Sequence, residues 1–201
     1  MENTELTPYR GHVLRRRPNF ELTKKVSAIE YLTEAEYLQL CNVAVHPEHK
    51  LLLRLLWETG LRISEALSLK YGDVYPDGLN IRHGKGNKQR MVHCQAPILG
   101  ELLRYARSHA NDMIFQKVRT RQAAWSLIKR LQVLAGITKR LHPHIFRHSY
   151  AINFIKQTGN PFALQSQGGW SDMDIIKTYM RLASEMPAEA VNKMYFPEVK
   201  I

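Results

Sequence analysis

This chain of 201 residues is poor in several things, and each scarcity excludes something. It has two cysteines, Cys41 and Cys94, in unrelated contexts. Neither a disulfide framework nor a thiolate metal site is expected, and both read as ordinary reduced thiols. No apolar run approaches the ~20 residues that span a bilayer, so a membrane partner is not expected. The amino terminus opens on acidic and polar residues, with no apolar stretch before a small-residue cleavage site. No secretory signal is visible, and the cytoplasm is the expected compartment. Clustered carboxylates are missing too: Asp172 and Asp174 alone are poor material for a two-metal site, and no metal or other cofactor is expected.

Acidic residues are scarce by region as well as in total. The formal net charge is +11, and Met113 to Ser171 contains no Asp or Glu. The same stretch carries Lys117, Arg119, Arg121, Lys129, Arg130, Lys139, Arg140, Arg147 and Lys156. A second acid-free stretch, Gly78 to Gly100, carries Arg82, Lys85, Lys88 and Arg90. Charges of one sign segregated in this way predict a positive surface for an anionic partner, nucleic acid phosphate above all. The run Arg15-Arg16-Arg17 lies among Pro8, Gly11 and Pro18 with few regularly spaced apolar residues. Residues 1–28 therefore read as a basic arm or linker, 29–185 as the folded domain and 186–201 as a tail.

What is present is mostly helical periodicity. Thr33 followed by Glu36 is a capping box opening a helix to about Val45, and Pro47 suits the first turn of a second helix ending at Gly60. Ile63 to Leu69 reads as a short third helix. The pattern then changes to short alternating runs, Val74 to Tyr75, Leu79 to His83 and Gln89 to Cys94, separated by Asp-Gly and Gly-Lys-Gly-Asn turns. Helical spacing resumes at Pro97 to His109, Thr120 to Ala135, Pro143 to Thr158 and Ser171 to Leu182, with Asn160-Pro161 marking a further start. The expected fold class is mostly α with a small antiparallel β-sheet.

Four segments carry candidate chemistry. In Thr59 to Val74, Arg62 follows a helix-ending glycine and Glu65 lies one turn on. Gly84 to Arg90 is a turn presenting Lys85, with Lys88 as its competitor. His142 to Tyr150 places His144 and Arg147 three apart on one helix face, with His142 and His148 able to substitute for His144. In the last segment Trp170 precedes Tyr179. The ordered set Arg, Lys, His-x-x-Arg, Trp, Tyr resembles the tyrosine recombinase (phage integrase) family, over about residues 30–183. The departures are Trp170, where the family more often has His, and the length: 201 residues are not expected to hold the amino-terminal clamp domain common in the family, as in a naturally short member or a fragment.

The resemblance implies the tyrosine recombinase catalytic-domain fold. It also implies site-specific transesterification of double-stranded DNA through a 3′-phosphotyrosine intermediate, on the nucleoid, without metal or nucleotide cofactor. The implied catalytic set is Arg62, Lys85, His144, Arg147, Trp170 and Tyr179. DNA contacts are expected from Arg15, Arg16, Arg17, Lys88, Arg90, Arg119 and Arg121.

The chemistry of a phosphodiester asks for the same residue types. Its charge repels nucleophiles and its alkoxide leaves poorly, so non-bridging oxygens must be neutralised, a nucleophile supplied and the leaving oxygen protonated. Arg62 and Arg147 offer planar charged forks for the first task. Tyr179 suits the second, since a phosphotyrosine ester keeps the bond reversible. Lys85 beside arginines suits the third. His144 can accept the tyrosine proton or orient the phosphate, and Trp170 can donate only its indole N–H. Glu65 is expected to orient Arg62 or His144. Exchange between two duplexes needs four active sites, hence a tetrameric ring in which the tail docks on a neighbour or folds back on its own domain. A monomeric type IB topoisomerase and a DNA-binding regulator are the competing readings.

Overall fold

Capping residues and glycines set the helix boundaries in the computed structural model, which describes residues 29–82, 89–107 and 112–184. Helix α1 (Glu34–Val43) opens on the expected capping box. The Glu36 N–H donates to Thr33 Oγ1 at 3.3 Å, and the Thr33 N–H donates to the Glu36 carboxylate at 2.8 Å. Helix α2 (Pro47–Thr59) starts on a proline whose missing N–H costs nothing there, and it ends at Gly60 in the left-handed region, φ 61°. Helix α3 (Ile63–Leu67) is one residue pair shorter than its apolar pattern suggests, because the chain enters a 3-10 turn at Tyr71–Asp73.

Strands β1 (Val74–Tyr75), β2 (Gly78–Ile81) and β3 (Arg90–His93) form an antiparallel sheet in the order β1-β2-β3. Leu79 faces Val92 across β2 and β3, and both are fully buried. Helix α4 (Ala96–Arg107) follows, and then α5 (Arg121–Leu134), whose cap Thr120 accepts the Ala123 N–H at 3.0 Å. Helix α6 (Pro143–Thr158) is closed by Gly159, α7 (Pro161–Gly168) is capped by Asn160, and α8 (Met173–Ala183) is capped by Asp172. The expected class, mostly helical with a small antiparallel sheet, is the class observed.

Two apolar clusters make up the core, and α6 belongs to both. The larger joins α1 to α5 and the sheet, and includes Ile145 and Phe146 from the first turn of α6. The smaller gathers Ala151, Ile152 and Ile155 of α6 with Leu164, Trp170, Ile176 and Tyr179. Helix α6 therefore packs on α2 on one side and α8 on the other, and Arg147 sits where the clusters meet.

The larger cluster has an ionic anchor in Glu48, which is fully buried. Its carboxylate accepts N–H bonds from Gln116, Lys117 and Val118 at 3.1, 2.8 and 2.8 Å and the Tyr105 hydroxyl at 2.8 Å. Burial pushes its pKa up, but these donors outweigh burial and hold it below the usual value. Among the described residues, no helix is long and apolar enough to cross a membrane. Cys41 and Cys94 are half-buried free thiols.

Candidate active site

The arginine side of the site is built on the turn after α2. Gly60 is required there twice over. Its φ is positive, and a Cβ on it would lie 2.3 Å from the Tyr150 ring. The turn delivers Arg62 to the N-cap of α3, with 24% of its side chain exposed. Glu65, one turn on, accepts the Arg62 backbone N–H at 3.0 Å and its guanidinium at 2.8 Å. The same carboxylate receives a two-pronged pairing from Arg90 of β3, at 3.0 and 2.9 Å. Burial raises the Glu65 pKa, and the Arg90 and Arg62 contacts more than reverse this, keeping it ionised. Glu65 thus orients Arg62, one of its two expected partners, while its other oxygen bonds go to Arg90 rather than to His144.

Arg147 closes this side from α6. Only 3% of it is exposed, and it donates to the carbonyls of Gly60 and Gly168, each at 2.7 Å. Its guanidinium lies 3.8 Å from the centroid of the Trp170 ring. Burial, with Arg62 adding repulsion, lowers its pKa to about 10, still charged at neutral pH. Gly168 makes the stack possible, because a Cβ there would fall 1.6 Å from the indole. Arg62, Arg90 and Arg147 surround a single carboxylate, so the site carries an excess of positive charge suited to a phosphate.

The tyrosine side lies across α6 and α8. Tyr179 is 1% exposed, sits edge-on to Trp170 with ring centroids 5.9 Å apart, and bonds through its hydroxyl to His148 Nδ1 at 2.8 Å. Burial raises the Tyr179 pKa, opposed by the charge of Arg147 and by the Trp170 indole. His144 is exposed at the start of α6, its ring 5.9 Å from that of His148. Partial desolvation, Arg147, His142 and Arg62 hold its pKa below the ordinary value. Among the described residues, His144 has no hydrogen bond to Tyr179.

Five of the six expected catalytic residues, all but Lys85, therefore fall within the described residues, and the structure brings them to the junction of the two clusters. Lys85, Lys88, Arg15, Arg16, Arg17 and the tail 186–201 lie outside the described residues. Arg119 and Arg121 are exposed around the start of α5, and Arg121 lines a groove with Thr120, Gln122 and Trp125. Arg90 is the correction. Expected at a DNA-facing surface, it is instead turned inward, 14% exposed, with its guanidinium engaged by Glu65 and packed against Gly169. A period-of-two reading would have found this, since Arg90 shares the face of buried Val92 while Met91 and His93 point out. In the sequence His148 stands only as a substitute for His144. Its spacing of four from His144 and one from Arg147 was the available signal.

Comparison with known proteins gives this arrangement a lineage. The family model described as the phage integrase family matches residues 30–186. The chain belongs to the phage integrase family. It is 29% identical over 173 residues to tyrosine recombinase XerA of Pyrococcus horikoshii, a match covering 81% of this chain and 60% of that protein. It is 30% identical over 157 residues to tyrosine recombinase XerD of Staphylococcus saprophyticus, covering 72% of this chain and 52% of that one. The match thus spans between about half and three-fifths of these two relatives' length. Among solved structures, XerA recombinase aligns with a TM-score of 0.67 at 26% identity, covering 83% of this chain and 64% of that one. The catalytic domain of bacteriophage HP1 integrase aligns at 0.65 and 24% identity, over 82% of this chain and 95% of that one. The tyrosine recombinase catalytic-domain fold is therefore the fold of this chain.

Proposed function

We propose that this chain is the catalytic part of a site-specific recombinase that cuts and rejoins double-stranded DNA through Tyr179. The observation that carries the reading is the meeting of Tyr179 and Arg147 at one seam of the fold, beside Arg62 and an excess of positive charge. Arg62 and Arg147 bind the non-bridging oxygens and gain strength as charge builds on them. Tyr179 attacks phosphorus, the bond to the 5′-oxygen breaks, and a 3′-phosphotyrosine holds the strand. Lys85 protonates the departing oxygen. Trp170 packs against Arg147 and keeps its fork aimed. Religation by a 5′-hydroxyl reverses each step, so no nucleotide cofactor is consumed.

Exposed Arg119 and Arg121, with Lys88 and the arm residues Arg15, Arg16 and Arg17, contact the DNA backbone. Strand exchange assembles four protomers on two duplexes at the nucleoid.

The test is trapping on nicked duplexes. A pool of random-sequence nicked duplexes is incubated with the chain in the presence of a chelator, and DNA-linked protein is recovered on denaturing gels. Recovery of one sequence class, with the DNA-linked peptide containing Tyr179 and no adduct from Tyr179→Phe, is the expected outcome. Cleavage of every sequence alike would favour a topoisomerase. Cleavage that is lost on chelation, is rescued by a divalent ion and leaves no DNA-linked protein would indicate a metal-dependent nuclease.

A further inference from the structure

We infer that His148, rather than His144, takes the proton of Tyr179 as its oxygen attacks phosphorus; the inference rests on the recombinase reading above. The Tyr179 hydroxyl is 2.8 Å from His148 Nδ1, inside the range at which a base can take the proton. No other titratable side chain among the described residues bonds that hydroxyl. His144 is one turn earlier on α6 and exposed, and it feels the charges of Arg147 and Arg62, so it suits the phosphate better than the tyrosine. With the tyrosine O–H donating to Nδ1, the ring proton resides on Nε2.

The surroundings of His148 add a second element. Burial first, then His144, His142 and Arg147, lower its pKa to about 4, so in the free protein the ring is neutral and able to accept. A ring so depressed is also a weak base. The groups depressing it are the cationic or titratable neighbours that a bound phosphodiester would face, and its negative charge offsets them. The base strengthens when substrate arrives and stays weak when the site is empty. The step balances: the Tyr179 Oη–P bond forms as the P–O5′ bond breaks, the tyrosine proton passes to His148 Nδ1, and Lys85 gives one to the 5′-oxygen. Religation returns the imidazolium proton to Tyr179.

The experiment uses the chain with the sequence class recovered from the random pool, remade with sulfur at the bridging 5′ position. A thiolate leaves without an acid, so the cleavage rate reports activation of the nucleophile. His148→Asn keeps an oxygen near the position of Nδ1 and can still accept the tyrosine hydrogen bond, but it cannot take the proton. It should slow cleavage by about 10²–10⁴-fold, and its rate should keep climbing with pH where wild type levels off. A rate within about threefold of wild type overturns the inference, as does the same pH signature appearing in His144→Asn instead. Nitrogen-15 NMR of the wild-type imidazoles provides a readout free of variants: His148 Nδ1 should be unprotonated, and a proton there would overturn the inference. An absence of any adduct from the wild type overturns the recombinase reading and this inference with it, whereas a normal adduct with an unaffected variant overturns this inference alone.

Discussion

The arginines and the tyrosine of this site are held by different kinds of force. Arg62 and Arg90 are fixed by the Glu65 carboxylate, and Arg147 by two carbonyls and an indole face. Tyr179 is fixed by packing in the smaller cluster and by one hydrogen bond to His148. A charged fork needs directional partners to survive burial, because an unpaired buried charge is costly. A phenol needs mainly a shaped apolar slot with one partner for its hydroxyl. The arginine half is therefore set rigidly before any substrate arrives, while the tyrosine half depends on how α8 packs on α6.

The sharpest way to break this comparison is to empty the junction. Arg147→Ala removes the proposed phosphate ligand and leaves the Gly60 and Gly168 carbonyls buried without the Arg147 donor. Cleavage should fall by about 10³-fold, and denaturant titration should show a loss of roughly 3 kcal/mol. Arg62→Ala should lose a similar factor in cleavage but under about 1 kcal/mol in stability, because Glu65 keeps Arg90 as its partner. Equal stability for the two variants would mean that the carbonyl bonds of Arg147 contribute little. On the sulfur-bridged substrate, Arg62→Ala should stay slow, while Lys85→Ala should recover. Recovery in Lys88→Ala instead would reassign the acid.

A smaller effect separates structural anchoring from site anchoring. Glu65→Gln leaves Arg90 without a counter-ion and Glu48→Gln weakens three N–H acceptances, so each should cost about 2–4 kcal/mol. Only Glu65→Gln should also slow cleavage, by tenfold or more, through misplacement of Arg62. Comparable cleavage by both variants would show that Arg62 finds its place without Glu65.

The same contrast explains what was legible in the sequence. The fold class, the caps at Thr33 and Gly60, and the order of the site residues all follow from local chemistry: capping geometry, glycine at positive φ, spacing along a helix. The fate of Arg90 depends on which carboxylate a strand meets 25 residues away in the chain. A basic composition says only that some anion is near, and here that anion is Glu65. His148 was hidden for the opposite reason. Three histidines crowd the start of α6, and only the packing of α8 decides which of them reaches Tyr179. Long-range pairing and helix docking are the steps that local pattern does not encode.

The smallest predicted effect concerns pH and tests the tyrosine half alone. In the folded chain His148 titrates near 4, against an ordinary value of 6.5. Below pH 6.5 the unfolded chain binds a proton there that the folded chain refuses, so stability falls as pH drops, reaching its full loss below about 4. Above 6.5 the group contributes nothing. Glu65 and Glu48 have lowered folded values, so the stability they supply is present above the ordinary 4.5 and is lost only as pH falls through their folded pKa values. The window from pH 7 to 5 therefore isolates the imidazoles. His142 and His144 are depressed as well and remain in a His148→Asn variant, so that variant should still lose some stability in this window, but less than wild type. The difference in melting temperature between wild type and variant at pH 7 should shrink by a few degrees at pH 5. A gap that stays constant would mean that His148 protonates freely in the folded chain, and with it would go the claim that the tyrosine half is held by burial around a neutral ring.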